Sequence, residues 1–423
     1  MRLKRSAGLA LALGVLLIPL AISGCQAKSA GWETLFNGKD LQGWTLVGKS
    51  GQGYIVEDGN LVCPSDGGGN LFTDKEYSDF VFHFDFRLSK GANNGIGIRA
   101  PLEGDAAYQG MEIQVLDDPN WSGLQPWQFH GSIYGVFAAK QGALKPTGQW
   151  NTEEILAQGR HVKVTLNGKV IVDANLDTAY NPEVLIQHPG LQRTKGHIGF
   201  LGHTTRSEFR NIRVKDLSGS TKPAKDNTPP PGFTALFNGK DLKGWKGLVD
   251  DPPTRAKMSP EALKAAEQKA TEEALKHWRV QDGAITYDGK NNSLCTVKDY
   301  RNFDMYVDWK IEPGGDSGIY LRGSPQVQIW DNPLGSGGLY NNQKGPSNPL
   351  VVADNPPGQW NRFRIIMLGD KVSVWLNGLR VVDSVVMENY WERDKPIYPT
   401  GQIELQHHGS NLWFKNIYIR ELP

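Results

Sequence analysis

The chain has 423 residues, of which 46 are Lys or Arg and 45 are Asp or Glu, so its formal net charge is +1. This balance argues against nucleic-acid binding, which needs a strong basic excess, and 39% apolar with 22% charged residues excludes a disordered chain. The 49 Gly, 25 Pro, 13 Trp and 13 Tyr favour many turns between aromatic-rich strands, and three Cys are too few for a disulfide framework.

The first 24 residues are predicted to be a lipoprotein signal peptide. A basic start at residues 2–5 precedes an apolar run over residues 9–22, which is short for a membrane span. The run ends in Ser-Gly-Cys25, which resembles a bacterial lipobox; an ordinary signal peptide or an uncleaved anchor is the alternative. We therefore expect lipidation at Cys25 and a location in the cell envelope, at the periplasmic or outer-membrane face.

The rest of the chain contains two copies of one unit. Residues 35–44 read Leu-Phe-Asn-Gly-Lys-Asp-Leu-Gln-Gly-Trp and recur almost unchanged at residues 236–245. Gly-Gln-Trp-Asn occurs at residues 148–151 and again at 358–361. Two long copies indicate a tandem of domains rather than a solenoid of short repeats.

The repeat divides the chain into a first domain at 31–217, a Pro-rich linker at 218–231 and a second domain at 232–423. The second copy carries an additional segment, in which Ser259 as N-cap and Pro at the first helical position predict a helix over about 259–277. We expect this helical insertion to brace or cover an edge of the second domain.

Strands account for the remaining pattern. Residues 80–88 carry a large apolar side chain at every second position, which is typical of a strand with one buried face, and residues 303–311 repeat this alternation. Asn-Gly at 167–168 and at 377–378 predicts a type I′ hairpin turn in each copy. The predicted fold class is all-β, with two tandem jelly-roll β-sandwiches and one inserted helix.

Further motifs of the second copy lie at 316–323, 327–331, 338–344, 358–363, 388–391 and 405–409. Together with the shared opening motif, they resemble the 3-keto-disaccharide hydrolase domain family, whose fold is a concanavalin-A-like jelly roll. The resemblance covers nearly all of 232–423 and, more loosely, 31–217. The first copy departs from the pattern at Gly202-His203, where the second has His407-His408. The resemblance thus favours the second domain as the catalytic one.

The resemblance implies cleavage of glycosides whose C3 hydroxyl is already a ketone. The ketone acidifies the C2 hydrogen, so a base removes it, the leaving group departs from C1 by elimination, and water then adds. This route needs one base near neutral pKa and electrophilic help for the enolate oxygen. It does not need the flanking carboxylate pair of ordinary glycosidases.

Five polar positions recur in the two copies and supply candidate catalytic groups. The pairs are Arg99 with Arg322, Gln114 with Gln328, Asp117 with Asp331, His203 with His408, and Tyr134 with Tyr340. His408 is the candidate base because imidazole titrates near pH 6.5. Arg322 is the candidate for the enolate oxygen, with Lys344 or a metal on Asp331 as alternatives. In the first copy Glu112 and Asp117, with His203 and Arg99, are assigned to the same reaction.

Sugar recognition combines aromatic ring faces with planar hydrogen-bonding groups, so we expect a groove lined by both. The candidate substrate-binding residues are Gln328, Tyr320, Trp330, Tyr340, Lys344 and Trp391 in the second copy, and Gln114, Asp117 and Tyr134 in the first. The sequence requires no cofactor and leaves a divalent metal open. A structural role remains open for each of these residues, including an ion pair between Arg322 and Asp331.

Two functions of different classes follow from these residues. The first is an enzyme that cleaves 3-keto-disaccharides or 3-keto-glycosides by elimination and water addition, in one or both domains. The alternative is a non-catalytic carbohydrate-binding surface lipoprotein. In either case the expected partners are a carbohydrate and, through the lipid anchor only, a membrane.

Overall fold

The computed structural model describes residues 31–179, 181–219, 224–324 and 326–423. Each half of the chain forms a sandwich of two β-sheets, which confirms the predicted all-β fold with two tandem jelly rolls. Within the described residues the four α-helices are α1 (Ala106–Gln109), α2 (Pro182–Gln187), α3 (Pro252–Arg255) and α4 (Pro260–Ala274). None of these helices is long and apolar enough to cross a membrane. The predicted signal peptide and Cys25 lie outside the described residues.

The first sandwich contains a large sheet of order β11-β10-β9-β6-β13-β4-β3, with β1 also paired to β13, and a small sheet of order β2-β5-β12-β7-β8. Its strands are β1 (Glu33–Thr34), β2 (Trp44–Gly51), β3 (Ile55–Glu57), β4 (Asn60–Cys63), β5 (Gly67–Thr73), β6 (Phe80–Leu88), β7 (Asn93–Ala100), β8 (Met111–Leu116), β9 (Asn151–Gln158), β10 (His161–Leu166), β11 (Lys169–Asn175), β12 (His197–His203) and β13 (Ser207–Asp216).

The second sandwich repeats this strand order, with a large sheet β16-β17-β26-β19-β22-β23-β24, β14 paired to β26, and a small sheet β15-β18-β25-β20-β21. Its strands are β14 (Thr234–Ala235), β15 (Trp245–Gly247), β16 (Trp278–Gln281), β17 (Ala284–Asp288), β18 (Leu294–Thr296), β19 (Asn302–Ile311), β20 (Asp316–Leu321), β21 (Gln326–Trp330), β22 (Asn361–Leu368), β23 (Lys371–Leu376), β24 (Leu379–Val386), β25 (Ile403–Leu405) and β26 (Asn411–Leu422).

The core of each sandwich lies between its two sheets. In β6 every second residue is buried, as the alternation predicts, and Phe82 and Phe84 are fully enclosed. Phe200 of the small sheet packs against them, with ring centroids 6.1 Å from each. Cys63 and Cys295 are buried free thiols, one in each domain, and pack there as small apolar side chains.

Helix α4 packs along the edge of the second small sheet. It begins after Ser259, whose Oγ accepts a hydrogen bond from the Ala262 amide at 3.2 Å. A Cβ on Gly247 of the edge strand β15 would lie 2.1 Å from the Ala270 carbonyl oxygen, so glycine permits the close approach. The helix therefore covers one edge of that sheet.

The two domains contact each other through residues 177–179 and 181–193 of the first and the large sheet of the second. The indole Nε1 of Trp375 donates to the Pro189 carbonyl at 3.2 Å, and Arg380 Nη1 donates to the Ile186 carbonyl at 2.9 Å. Consequently β19 is buried on both faces along most of its length, whereas its counterpart β6 is fully buried on one face only.

The second half of the predicted linker is attached to the second domain. The Asn227 amide donates to Asn416 Oδ1 at 2.6 Å, and Asn227 Nδ2 donates to the Gly283 carbonyl at 2.8 Å. These bonds join residues that are far apart in sequence, so the segment around Asn227 packs as part of the second domain.

Candidate active site

A cleft of 310 Å³ lies on the small sheet of the first domain, on the face turned away from the core. Glu112 and Gln114 of β8 reach it from one side and His203 of β12 from the other, while Tyr134 belongs to the loop after β8. All four are residues that the sequence had suggested. The fold therefore brings together one carboxyl, one amide, one phenol and one imidazole.

The central strand of the small sheet carries glycine beside Glu112 and Gln114. In β7, which lies between β8 and β12, Gly95 pairs with Gln114 and Leu201, and Gly97 pairs with Glu112 and Gly199. Neighbouring strands lie about 4.8 Å apart, so β8 and β12 are about 10 Å apart, enough for a sugar ring to lie between them. Leu201 and Phe72 cover Gly97, so the open part of the cleft lies on the other side of Gly95, towards His203.

Glu112 leans across the floor of the cleft. A Cβ on Gly95 would lie 1.9 Å from Glu112 Oε1, which places this carboxyl oxygen directly over the glycine. Burial raises the pKa of Glu112 to about 8, and the negative charge of Asp105 adds to the shift. The carboxyl therefore carries a proton at neutral pH and is able to donate a hydrogen bond.

His203 lies at the opposite wall of the cleft, and its pKa is shifted in the opposite direction to that of Glu112. Protein atoms around its ring displace water, which lowers the pKa of His203 below its usual value, and Asp105 offsets this only in part. Its ring lines the cleft and remains solvent-exposed. His203 and Gly95 belong to adjacent strands and are two residues out of register, so their Cα atoms are about 8 Å apart. A neutral imidazole thus faces a protonated carboxyl.

The assignment of Arg99 and Arg322 to the enolate oxygen is corrected by the structure. Both are buried and have positive φ values of 50° and 53°. Arg99 Nε donates to the Ser78 carbonyl at 2.9 Å, and Arg322 Nη1 donates to the Pro399 carbonyl at 3.0 Å. Their guanidinium groups bind backbone oxygens and hold loops at the far end of each small sheet.

Distance also separates Arg322 from the candidate base of the second copy. The ring of His408 lies 3.5 Å from the Asp316 carboxylate, at the start of β20. Arg322 follows the end of that strand, six residues further on, which is about 20 Å. The two side chains therefore cannot act on one sugar, and the same spacing separates Arg99 from His203.

Asp117 and Asp331 hold loops as well. The Asp117 carboxylate accepts hydrogen bonds from the Gly91 amide and the Thr147 hydroxyl, both at 2.7 Å. Asp331 accepts from the Gly314 amide at 2.8 Å. Neither residue lines the cleft or pairs with the arginine of its copy, so we correct their assignment to the reaction.

In the second domain, side chains fill the equivalent surface. Strand register places Tyr320 and Glu404 where the first domain has Gly97 and Gly199, and Gln326 replaces Glu112. Glu404 is buried, which raises its pKa to about 7, and its Oε1 lies 4.0 Å from Arg255 of α3. Gly318 remains at the position of Gly95, and Gln326 lies over it as Glu112 does in the first domain.

The other candidates of the second domain are dispersed. Gln328, Trp330 and Tyr340 line a smaller cavity of 200 Å³, which does not include His408. Trp391 donates its indole N–H to the Gly323 carbonyl at 2.7 Å, at the end of the sheet remote from His408. The remaining two are Tyr320, half-buried beside Asn341, and Lys344, on an exposed loop whose amides bind Glu388.

The comparison with known proteins identifies the family. The sequence matches the family described as the 3-keto-alpha-glucoside-1,2-lyase-like domain over residues 31–215 and again over 232–420. The chain belongs to this family. The resemblance expected from its motifs is confirmed, and it places the protein, at the coarse level, among the glycoside hydrolases.

The individual relatives of the chain are distant in sequence. A 3-keto-disaccharide hydrolase of Bacteroides thetaiotaomicron is 23% identical over 252 residues, covering 45% of this chain and 79% of that protein. A solved structure from Parabacteroides distasonis, provisionally described as a glycosyl hydrolase, is 26% identical; the match covers 45% of this chain and 96% of that one, with a TM-score of 0.39. A carbohydrate-binding module of Bacillus subtilis is 15% identical over 41% of this chain and 96% of its own, with a TM-score of 0.30.

Sequence reasoning missed three residues that complete the cleft of this family member. Asp105 and Tyr108 belong to the turn and helix of α1, and Trp121 to the loop after β8. The length of one loop could have revealed these residues, because 12 residues separate Arg99 from Glu112 whereas only three separate Arg322 from Gln326. The longer connection builds a wall that the second copy lacks.

A metal ion would need several ligating side chains close together. Within the described ranges, the structure places no group of three or more His, Cys, Asp or Glu side chains where they could share one ion. The metal alternative at Asp331 therefore has no such cluster around it among these residues.

Proposed function

We propose that the first domain cleaves 3-keto-glycosides by elimination followed by addition of water. The observation that carries the proposal is that His203 and Glu112, whose carboxyl lies over Gly95, line the same cleft. One pKa is lowered and the other is raised to about 8, so base and acid coexist at neutral pH. Residues with pKa values displaced in opposite directions are the usual signature of acid–base assignments.

In this mechanism neutral His203 takes the proton from C2 of the bound sugar, and the C–H electrons form the enolate of the C3 ketone. The protonated carboxyl of Glu112 donates a hydrogen bond to the C3 oxygen, where negative charge develops. The C3 carbonyl then re-forms, a C1–C2 double bond forms, and the bond from C1 to the leaving-group oxygen breaks. That oxygen takes up a proton from the His203 imidazolium.

Water completes the reaction by adding to C1 of the unsaturated ketone, which returns a hydrogen to C2 and gives the free 3-keto sugar. Net hydrolysis results, and the route uses protein side chains without a required cofactor. Gln114 and Tyr134 are proposed to hold the sugar hydroxyls, with exposed Trp121 against a ring face.

We propose that the second domain is not catalytic, in contrast to the preference that its better-matched motifs had suggested. Tyr320 and Glu404 replace Gly97 and Gly199, and Gln326 replaces Glu112, so His408 has no carboxylic acid partner equivalent to Glu112. Its role is then structural support or carbohydrate binding. We also retain the proposal that Cys25 carries a lipid and holds the protein at the cell envelope.

The test is to incubate the purified protein with a 3-keto-disaccharide and measure release of free sugars, with chelator and with added divalent metals. We expect turnover that is lost in His203→Ala and retained in the matched control His408→Ala. The reverse result would transfer the activity to the second domain. Sugar binding without product under every condition would instead support the non-catalytic carbohydrate-binding alternative.

A further inference from the structure

A second cavity of 580 Å³ adjoins the cleft of the first domain. Tyr108 and Tyr134 line both cavities, so the two are adjacent at these rings. Trp127 and Phe137 add further aromatic surface. Within the described residues its lining contains no Asp, Glu, Lys or Arg side chain.

The inner wall of this cavity is an uncharged aromatic stack. The rings of Tyr108 and His188 have centroids 4.7 Å apart and planes inclined by 30°. His188 is buried, which lowers its pKa, so the imidazole is neutral at physiological pH. The wall therefore offers flat, apolar, neutral surfaces, which suit an uncharged ring better than a charged or strongly hydrated group.

Each of the two cavities is lined by one exposed tryptophan. Trp121 and Trp127 belong to one loop, are 43% and 42% exposed, and line the cleft and the second cavity respectively. Exposed indoles are costly to leave in water and are typical of ligand platforms. Each cavity thus has its own stacking surface.

The second domain braces the outer wall of the second cavity. This wall includes Val184 and Gln187 of α2. Arg380 binds the Ile186 carbonyl in the same helix, and Trp375 binds the Pro189 carbonyl just beyond it. The wall is thereby held in place before any ligand arrives, and preorganisation of this kind favours binding.

We propose that this second cavity is the leaving-group subsite and that it selects glycosides with an uncharged aromatic aglycone. The inference rests on the proposed function for its kinetic consequence. It follows from continuity, because a sugar held between Glu112 and His203 extends its C1 substituent past Tyr108 and Tyr134. The aromatic, charge-free lining then determines which substituent is accommodated.

A binding measurement tests the subsite without any turnover. Titration of the full chain with 4-methylphenol, an uncharged aglycone mimic, is followed by calorimetry. We expect saturable binding that weakens about five- to tenfold in Trp127→Ala, as loss of one aromatic contact predicts. The matched control is Trp32→Ala, whose indole contacts His83 on the large sheet. Equal affinity in the wild type and Trp127→Ala would overturn the proposal.

Kinetics with two substrates provides the second arm. We expect Trp127→Ala to lower kcat/KM about five- to tenfold for the 4-methylphenyl 3-keto-glucoside and to leave the methyl 3-keto-glucoside nearly unchanged. Equal losses on both substrates would overturn the aromatic subsite while leaving the proposed function intact. If the wild type cleaves neither substrate, the proposed function fails and the calorimetric result alone decides the subsite.

Discussion

Replacing Glu112 by Gln tests the central feature of the cleft, a carboxyl that the fold keeps protonated. Gln has nearly the same shape and keeps an N–H donor but cannot ionise. We expect Glu112→Gln to be more stable than the wild type at neutral pH and to keep part of its activity. The two effects have one cause, the burial that raises the pKa of Glu112 to about 8.

The magnitude and sign follow from linkage between ionisation and folding. The ordinary pKa is 4.5, so below that pH the carboxyl is protonated in both folded and unfolded chains. Above it, only the unfolded chain ionises, and each pH unit lowers the free energy of unfolding by ~1.4 kcal/mol until the folded pKa is reached. At pH 7 the loss is about 3 kcal/mol, which Gln removes.

The assay combines unfolding calorimetry at pH 4 and pH 7 with the pH profile of kcat/KM. Glu112→Gln should gain stability at pH 7 and little at pH 4. Activity of the wild type should decline above about pH 8, where Glu112 loses its proton, and this alkaline decline should be absent in the variant. On the acid side, activity should fall as His203 becomes protonated, below pH 6.5 because its pKa is lowered.

Glu404→Gln is the matched control from the second domain. Burial raises the pKa of Glu404 to about 7, so this substitution should also stabilise the protein at neutral pH. Its pH profile of activity should match that of the wild type. If Glu112→Gln gives no stability gain at pH 7, or if the alkaline decline persists in it, the reasoning on a protonated Glu112 is refuted.

Three further substitutions test the candidate site and the predicted lipid anchor. Gly95→Ala should lower kcat at least tenfold, because its Cβ would displace the Glu112 carboxyl; kinetics close to the wild type would contradict this. Arg99→Leu should lower the melting temperature markedly, as expected for a buried loop anchor; an active, fully stable variant would restore Arg99 as a catalytic candidate. Cys25→Ser should release the protein from the membrane fraction, and unchanged membrane association would exclude the lipid anchor.

The fold could be predicted from the sequence because its signals are local and periodic. The alternation over residues 80–88 identified a buried face, and Asn-Gly at 167–168 and 377–378 predicted turns that the structure confirms with positive φ at all four residues. Such patterns depend on the pleat of a strand and the steric limits of a turn, which act within a few residues.

The site was predicted only in part, because it depends on register and on loop length. Arg99 and His203 lie on the same face of neighbouring strands, which made them reasonable partners, but they occupy opposite ends of the sheet. Strand alternation specifies the face of a residue and not its position along the strand relative to a distant neighbour. Trp121 and Tyr108 belong to connections whose course no periodic pattern predicts.

The comparison between the two copies also explains why recurrence misled the search for catalytic residues. Positions that both copies share include Arg99 with Arg322 and Asp117 with Asp331, and in each pair the side chain binds backbone groups of its own domain. Two sandwiches of the same topology need the same loop anchors whether or not they catalyse a reaction. A residue that recurs in both copies therefore indicates a shared fold rather than a shared reaction.

Function is expected where the copies differ. The central strand has Gly97 where the second domain has Tyr320, and the neighbouring strand has Gly199 where the second has Glu404. In the first domain Phe72 and Leu201 cover these two glycines, whereas in the second Tyr320 and Glu404 themselves cover the sheet, and that domain supplies Arg380 to brace the adjoining cavity. If this covering separates the domains, Tyr320→Gly with Glu404→Gly should create a cavity that binds sugar, and with Gln326 at the position of Glu112 it should cleave no faster than Glu112→Gln. With His203 also changed to Ala, cleavage by that double variant faster than by Glu112→Gln would show that the carboxyl is dispensable.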